Sequence, residues 1–331
     1  MTRVSKPRAL VTFRTDPHMR DVIGESLDGV AELTYLSETV AGRREEVLGS
    51  ADAVLAWMLG AELRPEELAQ LGSAGLIQLL SAGVDQVPFD QIPAGVAVAS
   101  NAGAYAEPMA EHVLALVLAL AKRLSQNHAA LARGVFDQQT PTRSIRGSLV
   151  GILGFGGIGQ ASARLFRALG ARVYAINRSG RTDAAVDRIG TMEDLDALLG
   201  DADIVVVSLP LTRATHGLIG RRELSLMKPD AILVNVARAA IIDEDALYEH
   251  LERNPSFSAG IDAWWQEPRG DRAFATRRPF LNLPNVIGSP HNSGIIAGSL
   301  TEAAARAGDN LARHLRGEPV RNLVDRSDYV A

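Results

Sequence analysis

The run Leu149-Val-Gly-Ile-Leu-Gly-Phe-Gly-Gly-Ile-Gly159 constrains this chain more than any other feature of its sequence. An apolar strand over 149–153 leads directly into Gly154-x-Gly156-x-x-Gly159, and an amphipathic helix is predicted over 157–169. In a strand–turn–helix unit the first glycine permits the tight turn and the second lets a pyrophosphate reach the backbone. The third lets helix and strand pack closely. The phosphates then sit at the helix N-terminus, where unpaired N–H groups and the macrodipole favour anions. A bare glycine pattern of this kind can be a loop; in this setting it predicts a dinucleotide site and a parallel sheet.

The next strand, 172–176, runs into Asn177-Arg178-Ser179-Gly180-Arg181. An NAD site ordinarily has an acid here to accept from the ribose 2′-hydroxyl. Asn177 tolerates a 2′-phosphate that an acid would repel, and the guanidinium groups of Arg178 and Arg181 can bind it bidentately. The expected cofactor is therefore NADP in preference to NAD, which remains the second option. The competing reading is that both arginines are solvated surface charges.

Around this unit the chain alternates short apolar runs with helical stretches, as a parallel, doubly wound sheet requires. Strands are expected at 8–13, 31–35, 53–57, 76–80 and 96–99, with helices at 16–27 and 64–71. A second series has strands at 149–153, 172–176, 204–208, 231–236, 259–262 and 286–288. Its helices fall at 157–169, 192–199 and 243–253, and a last helix spans 295–316. Between the two series, 109–121 is apolar on every side except at Glu111 and His112. Such a helix must be covered all round, either as a core helix or at a subunit interface. Residues 126–146 read as an irregular arm.

At 331 residues the chain is long enough for about two domains. Its net charge of −5 gives no general attraction to nucleic acid or anionic membranes. With no cysteine, disulfides, thiolate metal sites and a thiol nucleophile are excluded. No metal site is expected. The longest apolar run, 113–121, is too short to span a bilayer, and residues 1–10 lack the apolar core of a secretory signal. A cytoplasmic location is the expectation.

Three further residues follow predicted strand ends, where ligands bind in open α/β folds. They are Arg238, Glu267 in Asp262-Ala-Trp-Trp-Gln-Glu267-Pro268, and His291 in Ser289-Pro-His291-Asn292. His18, His112, His128, His216, His250 and His314 carry no comparable signal.

With these segments in hand, the chain resembles the D-isomer-specific 2-hydroxyacid dehydrogenase family over nearly its whole length. The resemblance is carried by Ser81-Ala-Gly83-Val84-Asp85, Asn101-Ala-Gly, Ala110-Glu-His112, Gly154–Gly159 and Ser208-Leu-Pro-Leu-Thr-Arg-Ala-Thr215. It continues through Val234-Asn-Val-Ala-Arg238, Asp262 with Glu267-Pro268, and Ser289-Pro-His291. Two departures stand out. Ala239 replaces the usual glycine after the arginine, and Pro108 stands where a hydroxyl near the nicotinamide is common.

The resemblance implies two doubly wound parallel-sheet domains, Rossmann-like and flavodoxin-like, with a cleft between them. A substrate domain would take 1–101 plus 293–331. A dinucleotide-binding domain would take 102–292, including a dimerisation helix and arm at 103–147, and the protein would be a homodimer. It implies reduction of a small 2-oxo acid to the D-2-hydroxy acid, with glyoxylate or hydroxypyruvate the first choice. His291 would donate the proton, Glu267 would orient the imidazole and favour its charged form, and Arg238 would anchor the carboxylate. Backbone around Ala82, Gly83 and Val84 would complete the substrate site, with Arg238 and His291. Asp262 would hold the nicotinamide carboxamide. Phe155, Gly157, Ile158, Ser179, Leu209, Pro210, Thr215, Val236, Ala237 and His291 would complete the cofactor contacts. The rival readings are phosphite- or formate-type oxidation on the same scaffold, and a corepressor-like dinucleotide sensor. Glu267 disfavours formate, since formate dehydrogenases have Gln there.

Overall fold

The computed structural model describes residues 6–268 and 272–329, and the chain divides into two compact units. One comprises Met1–Tyr105 with Ile296–Ala331, the other Ala106–Ile295.

The first unit is built on strands β1 (Arg8–Val11), β2 (Glu32–Tyr35), β3 (Ala53–Ala56), β4 (Leu76–Leu79) and β5 (Ala97–Ala99). They form one all-parallel sheet in the order β2-β1-β3-β4-β5, the flavodoxin-like winding. Both faces are covered. Leu10, Val54, Ile77 and Val98 point into one core. Ala9, Val11, Leu55 and Leu76 point into the other, where Ala303, Ala304, Ala307 and Leu311 of the helix Ser299–Leu315 meet them. Burial on both faces explains why the strands read as continuous apolar runs rather than alternating ones. The helix Pro17–Leu27 begins where expected because the Asp16 carboxylate accepts from the Met19 N–H at 2.9 Å.

The second unit carries β6 (Leu149–Leu153), β7 (Arg172–Ile176), β8 (Arg188–Gly190), β9 (Ile204–Val207), β10 (Ile232–Asn235), β11 (Ser258–Ile261) and β12 (Val286–Gly288). All pairings are parallel, in the order β12-β11-β10-β9-β6-β7-β8. The winding reverses between β6 and β9, the position where such sheets open a crevice for ligands.

The apolar segment at 109–121 lies in the helix Ala106–Ala121. Val113, Leu116, Val117 and Leu120 are buried in the core of the second unit with β6, β7, β9 and β10 residues, and Leu114 and Leu118 pack on it half-buried. The segment read as irregular from 126 differs: a helix, Leu124–Ala132, precedes the irregular part. It buries none of its residues, so it has no apolar stripe to be read. Strand β8 is likewise absent from the sequence reading; its Arg188 is exposed and Ile189 only half-buried. The helix expected over 64–71 divides into Pro65–Leu68 and a tight turn, Ala69–Ser73.

Candidate functional site

In the second unit every strand runs the same way, so the turns after β6, β7, β9, β10, β11 and β12 emerge at one edge of the sheet. Each sequence motif of the second half occupies one of these turns.

After β6, Gly154 has φ +95°, and a Cβ there would stand 2.7 Å from the Ser208 carbonyl oxygen. The Ser208 hydroxyl donates to the Gly154 carbonyl at 2.8 Å, pinning the turn to the end of β9. A Cβ on Gly159 would lie 2.2 Å from the Gly154 carbonyl oxygen, so only glycine allows the helix Gly157–Ala168 to start this close to the strand. Gly156 is different: beyond its own chain neighbours, no described atom lies within 4 Å of where its Cβ would be. The turn is closed where helix meets sheet and open where a pyrophosphate would approach, which fits a dinucleotide. Phe155 is buried, Ile158 half-buried and Gly157 exposed.

After β7, the Asn177 side chain organises its own turn. Its Oδ1 accepts from the Ser179 N–H at 3.1 Å and the Gly180 N–H at 2.7 Å, and its Nδ2 donates to the Arg181 carbonyl at 2.7 Å. Arg178, Ser179 and Arg181 are exposed around it. After β9, the Thr215 hydroxyl donates to the Pro210 carbonyl at 2.7 Å and accepts from the Thr212 N–H at 2.8 Å. Thr215 thereby closes the turn, with Leu209 buried beside it and Pro210 exposed.

After β10, Asn235 accepts from the Ala237 N–H and donates to the Arg238 carbonyl, both at 3.0 Å. Val236 and Ala237 are buried and Arg238 is half-buried, with Nη1 donating to the Ala237 carbonyl at 2.9 Å.

The turns after β11 and β12 bring Glu267 and His291 together, with Glu267 Oε1 2.7 Å from His291 Nδ1. The same oxygen accepts from the Trp264 N–H at 3.1 Å. Burial alone would push the Glu267 carboxyl up. Hydrogen bonds from His291 and the Trp264 N–H, with the charges of His291 and Arg238, outweigh burial and hold it below its ordinary value. A carboxylate fixed on Nδ1 leaves Nε2 as the outward nitrogen of the imidazole.

Asp262 is fully buried, and its oxygens accept from the Ser289 hydroxyl at 2.6 Å and from the Asn292 and Ser293 N–H groups at 3.2 Å. Burial would raise this carboxyl too, but the hydrogen bonds from Ser289 and Ser293 keep it below its ordinary value. His112, which carried no signal of its own in the sequence, belongs to this cluster, with Nε2 2.8 Å from Ser289 Oγ. Its position beside Ala110 and Glu111 in a segment already singled out was the available clue.

In the first unit, Ala82, Gly83 and Val84 follow β4, with Val84 buried and the Ser81 hydroxyl donating to the Gly83 carbonyl at 2.9 Å. Among the described residues there is no cluster of His, Asp and Glu able to hold a metal, and no helix long and apolar enough to cross a membrane.

Residues 114–293 match the family described as D-isomer specific 2-hydroxyacid dehydrogenase, NAD binding domain. Glyoxylate/hydroxypyruvate reductase B of Pectobacterium carotovorum is 36% identical over 253 residues, covering 74% of this chain and 77% of that one. D-3-phosphoglycerate dehydrogenase of Methanocaldococcus jannaschii is 30% identical over 320 residues, or 94% of this chain. The chain spans only 58% of that longer relative. Among solved structures, a D-isomer specific 2-hydroxyacid dehydrogenase from Xanthobacter autotrophicus, in complex with NADPH and MES, superposes with a TM-score of 0.79. The two are 26% identical, over 98% of this chain and 100% of that one.

Proposed function

Because the chain belongs to the D-isomer-specific 2-hydroxyacid dehydrogenase family, we propose that it reduces a small 2-oxo acid to the D-2-hydroxy acid, with glyoxylate or hydroxypyruvate as the first substrate and NADPH as the preferred reductant. The observation that carries this reading is the His291–Glu267 pair at 2.7 Å, on the sheet edge that also bears the glycine turn and Arg238. A nicotinamide dinucleotide, held by Gly154–Gly159 and the first turn of the helix that follows, supplies the hydride when bound.

The chain's own residues do the rest. Arg238 takes the substrate carboxylate with its guanidinium and polarises the adjoining carbonyl. His291 donates the Nε2 proton to the carbonyl oxygen as it becomes a hydroxyl, and Glu267 stabilises the charged imidazole before that transfer. The exposed Arg178 and Arg181, on a turn whose Asn177 carries no charge, support the preference for a 2′-phosphate. The relative named glyoxylate/hydroxypyruvate reductase B supports the choice of substrate.

The test is initial-rate oxidation of NADPH and NADH with glyoxylate, hydroxypyruvate, pyruvate and phenylpyruvate. Faster turnover with NADPH on glyoxylate or hydroxypyruvate is expected. Binding of NADPH without turnover on any of the four would overturn the reading.

A further inference from the structure

The loop that carries His291 is held in a conformation an L-residue rarely adopts: His291 itself has φ +51°. For a non-glycine residue such a conformation is strained and persists only where surrounding contacts enforce it. Those contacts converge on Asp262. Its backbone carbonyl accepts from the His291 N–H at 2.9 Å, and its two carboxylate oxygens accept from the Asn292 and Ser293 N–H groups at 3.2 Å. One buried acid thus holds three consecutive N–H groups.

Asp262 has a partner reaching in from a distant part of the chain. Ser289 Oγ lies 2.6 Å from Asp262 Oδ1 and 2.8 Å from His112 Nε2. A hydroxyl has one proton, and an ionised carboxylate can only accept, so the Ser289 proton points to Asp262. The Ser289 oxygen must then accept, and the proton between it and His112 resides on Nε2 of the histidine. Direction is therefore defined throughout: His112 donates to Ser289, Ser289 donates to Asp262, and the loop N–H groups donate to Asp262 from the other side. His112 sits on the helix Ala106–Ala121, whose Val113, Leu116 and Val117 are locked in the core.

We propose that His112 is a positioning residue of the reaction, acting through Ser289 and Asp262 to keep the 289–293 loop, and with it His291, in the geometry that meets Glu267. Its effect is transmitted through the relay. The proposal rests on the reading of His291 as proton donor.

The experiment compares His112→Leu, Ser289→Ala, the double variant and His112→Gln. The amide of glutamine reaches about as far as Nε2 and keeps an N–H for Ser289. Turnover is measured with NADPH and the best 2-oxo acid, and NADPH binding is measured separately by fluorescence. Amide hydrogen exchange at His291, Asn292 and Ser293 is followed in the cofactor-free protein.

His112→Leu and Ser289→Ala are each expected to lower kcat about ten- to a hundredfold, the scale of a small misplacement of a catalytic group. NADPH affinity should be unchanged within twofold, and the double variant no worse than the poorer single one. Exchange at the three amides should speed up in both single variants and return toward wild type in His112→Gln, together with kcat. Full activity and unchanged exchange in His112→Leu would overturn the proposal, as would losses that add in the double variant. Wild-type protein inactive on every 2-oxo acid would instead overturn the functional reading. In that case the exchange data alone decide whether His112 holds the loop.

Discussion

At His291, backbone and side chain are constrained by different acids. Asp262 fixes the main chain of the loop, and Glu267 fixes the imidazole through Nδ1. Removing the ring while leaving the backbone is therefore expected to separate binding from chemistry. His291→Ala should lower kcat about 10²- to 10⁴-fold, the usual contribution of a general acid, with NADPH affinity by fluorescence titration nearly intact. The turn after β7 offers a second residue-scale test. Arg178→Ala combined with Arg181→Ala should raise the KM for NADPH at least about tenfold more than the KM for NADH, since a charge-assisted hydrogen bond contributes about 1.5–3 kcal/mol. An unchanged ratio returns both arginines to the solvated surface. The chemistry of these side chains was legible in the sequence because each follows a strand end. The turn-forming part played by Asn177 was missed, although its side-chain hydrogen bonds reach only two to four residues along the chain, because the residue was read for the charge it lacks rather than for the turn its amide builds.

Elements were legible in proportion to their burial. Strands β1 to β7 and β9 to β12 lie on or within two residues of the runs that predicted them, and most are covered on both faces, which leaves few polar positions to blur the pattern. Strand β8 escaped for the opposite reason: its Arg188 is exposed, with the guanidinium lying over the Tyr174 ring at 4.1 Å. The short helix Pro65–Leu68 shows how a charged residue can secure an element. Glu67, with a side chain 1% exposed, accepts from the guanidinium groups of Arg44 and Arg64 and from the Arg64 N–H. The Arg44 hydrogen bond above all pulls its carboxyl from the ordinary 4.5 down to about 2. A carboxyl depressed in the folded state contributes stability that is present above its unfolded value and lost as pH falls through the folded one. Urea unfolding should therefore find Glu67→Gln less stable than wild type at pH 7. The gap should close between about pH 4.5 and 2, with a pH-dependent part of at most about 3 kcal/mol. A gap independent of pH would remove this assignment.

On the scale of the whole molecule, the surface of the second unit poses the outstanding question. Leu124, Leu131, Val135 and Phe136 are 52–75% exposed within one short segment, and clustered apolar exposure of this kind marks contact surfaces. We propose this segment as the arm of a homodimer, in keeping with the expectation from the sequence. Light scattering after size exclusion should give a dimer for wild type and a monomer for Leu131→Asp combined with Phe136→Asp. A wild-type monomer would discard the arm. A net charge of −5 leaves only modest repulsion between copies.

By itself the sequence determined the sheet-forming runs, the glycine turn and the residue types at the strand ends, because these depend on periodicity, on the steric needs of a turn and on local chemistry. Only the tertiary structure decided the strand order that aligns those ends along one edge. It also decided the atoms and distance at which Glu267 meets His291, a pairing the family resemblance had implied, and the reach of His112 through Ser289 to Asp262. The partners are separated by 24 residues in the first case and by 177 and 27 in the others. The physical reason is that a hydrogen bond's partner is selected by packing, and packing is settled only when strands distant in the chain lie side by side.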